Sequence, residues 1–247
     1  VNHMINRRQW IAAASAALLA RPLLARDRRS MHVTTLYTFG DSVLDCGHYN
    51  VHGVHPGQLL VRNDDALFPE FRGRDLSSRG PARLAHRAVD GATVDGLERQ
   101  LAGVKKGAGE VAIVSVGGND LLRGLAADGG AGMQRFEATY ERFLGALPIR
   151  PVILASVYDP TFGDDSRNFL GVPAPVARAN HRRVNAIIAE LAQRHGRLAD
   201  VHAHFLRGDE GWFTRTIEPS LVGASEVRRV FLDNLAALEP PLARRAP

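Results

Sequence analysis

The fold is decided by Thr35-Leu36-Tyr37-Thr38-Phe39-Gly40-Asp41-Ser42, which continues Val43-Leu44-Asp45-Cys46-Gly47. Residues 35–39 form an apolar, β-branched run without clean alternation, the pattern of a strand buried on both faces. Gly40-Asp41-Ser42 then breaks the run with turn residues, which leaves Ser42 at the strand's carboxyl end. Similar runs at 110–116, 151–157 and 198–205 predict three more strands. Between them, Met133, Phe136, Tyr140, Phe143, Leu144 and Leu147, and then Val176, Val184, Ile187, Ile188 and Leu191, recur at helical spacing. A last helix is predicted over 221–235, after Pro219 and Ser220. Strands alternating with helices of this length imply an α/β domain over 31–247, a parallel sheet covered by helices on both faces.

The composition of the 247 residues, 45% hydrophobic, supports one substantial core. The formal charge of +5 does not indicate nucleic-acid binding. Arg7, Arg8, Arg21, Arg26, Arg28 and Arg29 against Asp27 account for all of it, and 31–247 are formally neutral. The same first 30 residues carry Asn6-Arg7-Arg8-Gln9-Trp10-Ile11 ahead of an Ala-rich apolar run, the layout of a twin-arginine signal segment. The expectation is an exported protein if that segment is native, and a cytoplasmic one if translation starts at Met31. The run is too short for a stable membrane anchor. Cys46, the one cysteine, forms no internal disulfide and reads as a packed small residue.

No strand is followed by a glycine-rich phosphate loop, so nucleotide binding is disfavoured and no cofactor is expected. The stretch 48–80 shows little periodicity and reads as a long loop leaving the first strand's carboxyl end, where open α/β sheets bind ligands. A serine there can present its hydroxyl to a substrate. The strand at 110–116 ends in Gly117-Gly118-Asn119-Asp120, which puts the neutral carboxamide of Asn119 at the same edge as a potential oxyanion donor. Gly91, in Asp90-Gly91-Ala92, offers an unobstructed backbone N–H. Asp41 and Asp120 sit beside turns and read as caps of exposed N–H groups.

These blocks resemble those of the SGNH hydrolases, the GDSL lipase and esterase family, over essentially all of 33–235. The resemblance implies a three-layer α/β/α sandwich with a flavodoxin-like parallel sheet, and hydrolysis of small-molecule carboxylic esters. It implies Ser42 as nucleophile, with Ser42 and Gly91 N–H groups and the Asn119 side chain as oxyanion donors. The family's last block, Asp-x-x-His-Pro, is altered here. Arg215 stands in the place of its Asp and Glu218 in the place of its His, in Arg215-Thr216-Ile217-Glu218-Pro219.

Three readings follow from that change. Glu218 itself accepts the Ser42 proton; or a histidine from elsewhere reaches Ser42 and Glu218 orients it; or hydrolysis has been lost and a ligand-binding or carbohydrate-binding pocket remains. For the histidine the first choice is His202 or His204, two apart and so on one face of a strand, followed by His48, His52 or His55. Without a third ligand, the His202 and His204 pair is not read as a metal site. An acyltransferase would use the same acyl-enzyme and differ only in the group that resolves it.

Overall fold

A computed structural model describes residues 33–238. The proposed signal segment, 1–30, lies outside them. Five strands, β1 (Thr35–Gly40), β2 (Arg83–His86), β3 (Glu110–Ser115), β4 (Val152–Ala155) and β5 (Arg197–Ala199), form a parallel sheet in the order β2-β1-β3-β4-β5. β1 pairs with β3 from Thr35 opposite Glu110 to Gly40 opposite Ser115, which brings both strands to the same edge in step. Successive side chains in these strands point to opposite faces. Leu36, Val111, Ile113 and Ile153 therefore enter one core, and Phe39, Ala112, Val114 and Leu154 the other.

Among the described residues, seven α-helices surround the sheet: α1 (Pro56–Val61), α2 (Leu97–Gln100), α3 (Gly118–Leu122), α4 (Ala131–Ala146), α5 (Ala174–His195), α6 (Val201–Phe205) and α7 (Leu221–Ala236). The long helices α4 and α5 cover one face through Phe136, Tyr140, Phe143, Val184 and Ile188, while α1 and α7 cover the other. A small hairpin of β6 (Phe213–Thr214) and β7 (Glu218–Pro219) precedes α7.

Two expectations about local structure are corrected. Residues 198–205 are not one strand: the strand stops at Ala199, and the Asp200 side chain accepts the Ala203 N–H at 3.0 Å, capping a helix that contains His202 and His204. The shared strand face argued for the two histidines therefore does not exist. Nor is 48–80 a plain loop. It contains α1, with Pro56 at its first position, and short 3-10 turns at Pro69–Phe71 and Leu76–Ser78.

That segment is held against α7 by Arg228, whose side chain is fully buried. Its guanidinium lies 3.5 Å from the centroid of Phe71 and 4.7 Å from that of Phe68. It donates to Asn63 Oδ1 at 2.6 Å and to Ser225 Oγ. Burial lowers its pKa to about 10, so it remains charged at neutral pH and depends on flat stacking and directed hydrogen bonds for its stabilisation. Arg228→Lys is expected to cost ~2–3 kcal/mol in chemical denaturation, because an ammonium reproduces neither geometry and leaves Asn63 unsatisfied.

Candidate active site

Ser42 follows the end of β1 in a turn held from three directions. The Asp41 N–H donates to Ser115 O at 3.0 Å, and the Asp41 carbonyl accepts the N–H groups of Leu44 and Asp45, both at 3.1 Å. The Asp41 side chain accepts the Val43 N–H at 3.1 Å. Ahead of it, Gly40 has φ +122° and passes so close to β3 that a Cβ would sit 1.8 Å from Ser115 O. The buried Gln100 carboxamide accepts the Gly40 N–H at 2.7 Å and donates to the Gly40 carbonyl at 2.8 Å. This leaves Ser42 on a fixed backbone, 7% exposed, with no hydrogen-bond partner for its N–H among the described residues.

Asn119 belongs to the first turn of α3. Gly117, at φ +123°, precedes that helix, and a Cβ on it would crowd Val157 and Val184 at 3.0 and 3.1 Å. The Asn119 amide donates to Ala92 O at 3.1 Å, which uses one of its two hydrogens. Gly91 stands between two tethered neighbours, since the Asp90 N–H donates to Asp45 Oδ2 at 3.0 Å and the Ala92 carbonyl receives Asn119. Gly91 has φ +72°, and its own N–H has no partner among the described residues. Asp120 accepts the Val94 N–H with both oxygens at 3.2 Å; burial raises its pKa to about 6. Asp41 and Asp120 are thus caps.

Glu218 is delivered by the β6–β7 hairpin, whose tip places Arg215 and Thr216 at φ +48° and +75°. The Tyr158 hydroxyl fixes that tip by donating to Ile217 O at 2.6 Å. Glu218 interacts with the Ser42 hydroxyl, which lowers its pKa, but burial raises it more strongly, and the net shift is upward. Its Oε2 is buried without a hydrogen-bond partner. Asp90 adds to the upward shift, while His48 and Arg215 oppose it. Arg215 forms no ion pair with Glu218; its guanidinium lies 4.9 Å from the centroid of Tyr49.

His48 is the histidine whose charge acts on Glu218. Its Nε2 lies 3.1 Å from Asp90 Oδ2, and the same oxygen accepts the Tyr49 hydroxyl at 2.6 Å. His202 and His204 are placed elsewhere. His204 Nε2 is 2.7 Å from Glu226, which also pairs with Arg229, and the imidazole packs on Trp212. His202 packs edge-on against His181 at 4.9 Å, with its Nδ1 buried and unpartnered. Neither lines the cleft that Ser42, Asn119 and Glu218 share, whereas His181 does. His55 packs with its ring tilted 31° to that of His86, centroids 4.3 Å apart, and burial lowers its pKa to about 4. Burial raises the Cys46 thiol's pKa strongly, so Cys46 has no thiolate to offer as a nucleophile.

Gln100, Tyr158 and His181 carry no recognisable signal in the sequence. Each acts through a contact with a distant backbone or cleft wall, and none belongs to a motif.

Residues 38–223 match the model of the GDSL-like Lipase/Acylhydrolase family. No curated protein sequence matches the chain. Among solved structures, an α/β hydrolase enzyme from the metagenome of Lake Arreo, Spain, is 23% identical with TM-score 0.58, covering 84% of this chain and 97% of that one. An acetylxylan esterase from Geobacillus stearothermophilus is 17% identical with TM-score 0.58, covering 87% and 100%. An extracellular lipase from Streptomyces rimosus is 18% identical with TM-score 0.56, covering 82% and 99%. These likenesses show a shared fold.

Proposed function

Because the chain belongs to the GDSL-like lipase and acylhydrolase family of SGNH hydrolases, we propose that it hydrolyses carboxylic esters through an acyl-enzyme on Ser42. The observation that carries this reading is the Glu218 carboxylate at the Ser42 hydroxyl, one oxygen buried without a partner and its pKa raised. A carboxylate in that state is a stronger base than an exposed one, which partly offsets the missing imidazole.

Glu218 takes the Oγ proton as Ser42 attacks the ester carbonyl. The Ser42 and Gly91 N–H groups and the remaining Asn119 amide hydrogen stabilise the negative oxygen. Glu218 then returns the proton to the departing alcohol. In the second half, water gives its proton to Glu218 and its hydroxyl to the acyl carbon; collapse of the tetrahedral intermediate releases the acid, and Ser42 recovers its proton from Glu218. The His48–Asp90 pair beside Glu218 replaces His202 and His204 as the place to look for an assisting histidine. The similar structures include an acetylxylan esterase and an extracellular lipase, which agrees with an ester substrate.

The test is hydrolysis of p-nitrophenyl acetate and butyrate by wild type and by Ser42→Ala, with His48→Ala, His202→Ala and His204→Ala alongside. Ser42→Ala is expected to lose about 10⁴-fold or more in kcat/KM. The His202 and His204 variants are expected to keep wild-type rates, since both side chains lie outside the cleft. Equal rates for wild type and Ser42→Ala would refute hydrolysis by Ser42. That outcome would favour a ligand-binding module on the same fold.

A further inference from the structure

Beyond Ser42 and Glu218 the cleft continues between the segment after β4 and the first turns of α5. Leu122, Val157, Phe169, Leu170, Ala174 and Ala177 form its walls. Ala174 and Ala177 are one helical turn apart and present methyl groups to the cleft, beside Arg178 and His181 from the same face of α5. Phe169 and Leu122, 40% and 44% exposed, bring large apolar side chains to solvent along this same cleft. Their shared position makes that exposure more than scattered surface hydrophobicity.

The polar side chains along this part each hold a partner within the protein. Arg178 pairs with Asp159 and Asp165. Asp159 also accepts the Thr161 N–H and hydroxyl at 2.9 and 2.6 Å. The Asn168 amide donates to Val172 O at 2.6 Å, and its oxygen accepts the Leu170 N–H. His181 Nε2 is 2.8 Å from Val157 O. A sugar hydroxyl entering here would trade its hydrogen bonds to water for contacts with these walls, whereas a hydrocarbon chain would lose nothing.

We propose that this cleft holds the acyl chain of the substrate, and that the preferred esters carry an uncharged hydrocarbon acyl group of several carbons rather than an acetyl group on a sugar. The proposal rests on ester hydrolysis at Ser42. The acyl group is assigned here because it stays bonded to Ser42 through the second half-reaction, when the alcohol has left. A walled cleft beside Ser42 suits the group that remains.

The experiment is a series of p-nitrophenyl esters from acetate to decanoate with the full chain, together with Leu170→Gln and Ala174→Phe. In wild type, kcat/KM is expected to rise about fourfold per methylene, the fold-change equivalent of ~0.8 kcal/mol, until the cleft is full. Each variant is expected to lower its own octanoate-to-acetate ratio by about tenfold or more. A flat or falling series in wild type, or wild-type ratios in both variants, overturns the acyl-chain assignment while leaving hydrolysis at Ser42 intact.

If no ester is turned over, the function reading fails, and calorimetry on Ser42→Ala with octanamide and acetamide still decides the cleft. Tighter octanamide binding that is lost on adding Leu170→Gln supports an apolar chain site. No difference between the two amides overturns it.

Discussion

Glu218→Gln is expected to lower kcat/KM for p-nitrophenyl butyrate by about 10²–10⁴-fold, the range for losing a positioned general base. The amide keeps the shape and a hydrogen bond to Ser42, but it cannot hold the proton through the reaction. The pH profile separates this role from a structural one. If Glu218 is the base, only its carboxylate form is active. Wild-type activity then falls as pH drops through the Glu218 pKa, which burial has raised above the ordinary carboxylate value of about 4.3, and levels off above it. The residual activity of Glu218→Gln should lack that inflection. A base at His48 would instead retain the inflection in Glu218→Gln and lose it in His48→Ala.

Gly40→Ala is expected to destabilise the fold by ~4 kcal/mol or more, seen as a drop in Tm of about 10 °C or beyond. Two costs add. A non-glycine residue at φ +122° is strained whatever its surroundings, and the new Cβ would meet Ser115 O at 1.8 Å. Relief requires β1 to move away from β3 at the point where both strands reach the site. The Asp41–Ser115 and Gly40–Gln100 hydrogen bonds would open with it, and Ser42 would lose its fixed position. Protein that still folds should therefore show reduced kcat as well as a lower Tm.

The sheet was legible in the sequence because its strands are buried on both faces. β1 and β3, read from apolar runs, lie within one residue of the expected ends, and α4, α5 and α7 follow from helical spacing. β2 was not visible because Arg83-Leu84-Ala85-His86 is a short edge strand with partly exposed side chains, so it carries no apolar run. α1 was missed because six residues are too few to show a helical period, although Pro56 marked its start. The strand expected over 198–205 stops early for a definite reason: Asp200, inside that run, caps a helix with its carboxylate.

The same cap bears on the site. With Asp200 read as a cap, His202 and His204 lose the strand geometry that recommended them, and the ion pair with Glu226 accounts for His204. Ser42, Asn119 and Glu218 were found together in the sequence because each stands in a motif at the sheet's carboxyl edge. His48 stood in a stretch without periodicity, and its closeness to Glu218 depends on Asp90, over forty residues away. No local pattern contains that pairing.

Hydrolysis by this route requires a covalent acyl group on Ser42. The decisive measurement is to mix the protein with p-nitrophenyl butyrate, quench in acid at short times and determine the mass of the peptide that contains Ser42. A butyryl adduct on Ser42 is expected in wild type, accumulating before it decays, and no adduct in Ser42→Ala. An adduct on any other residue, or turnover with Ser42 unmodified at every time, would contradict this route.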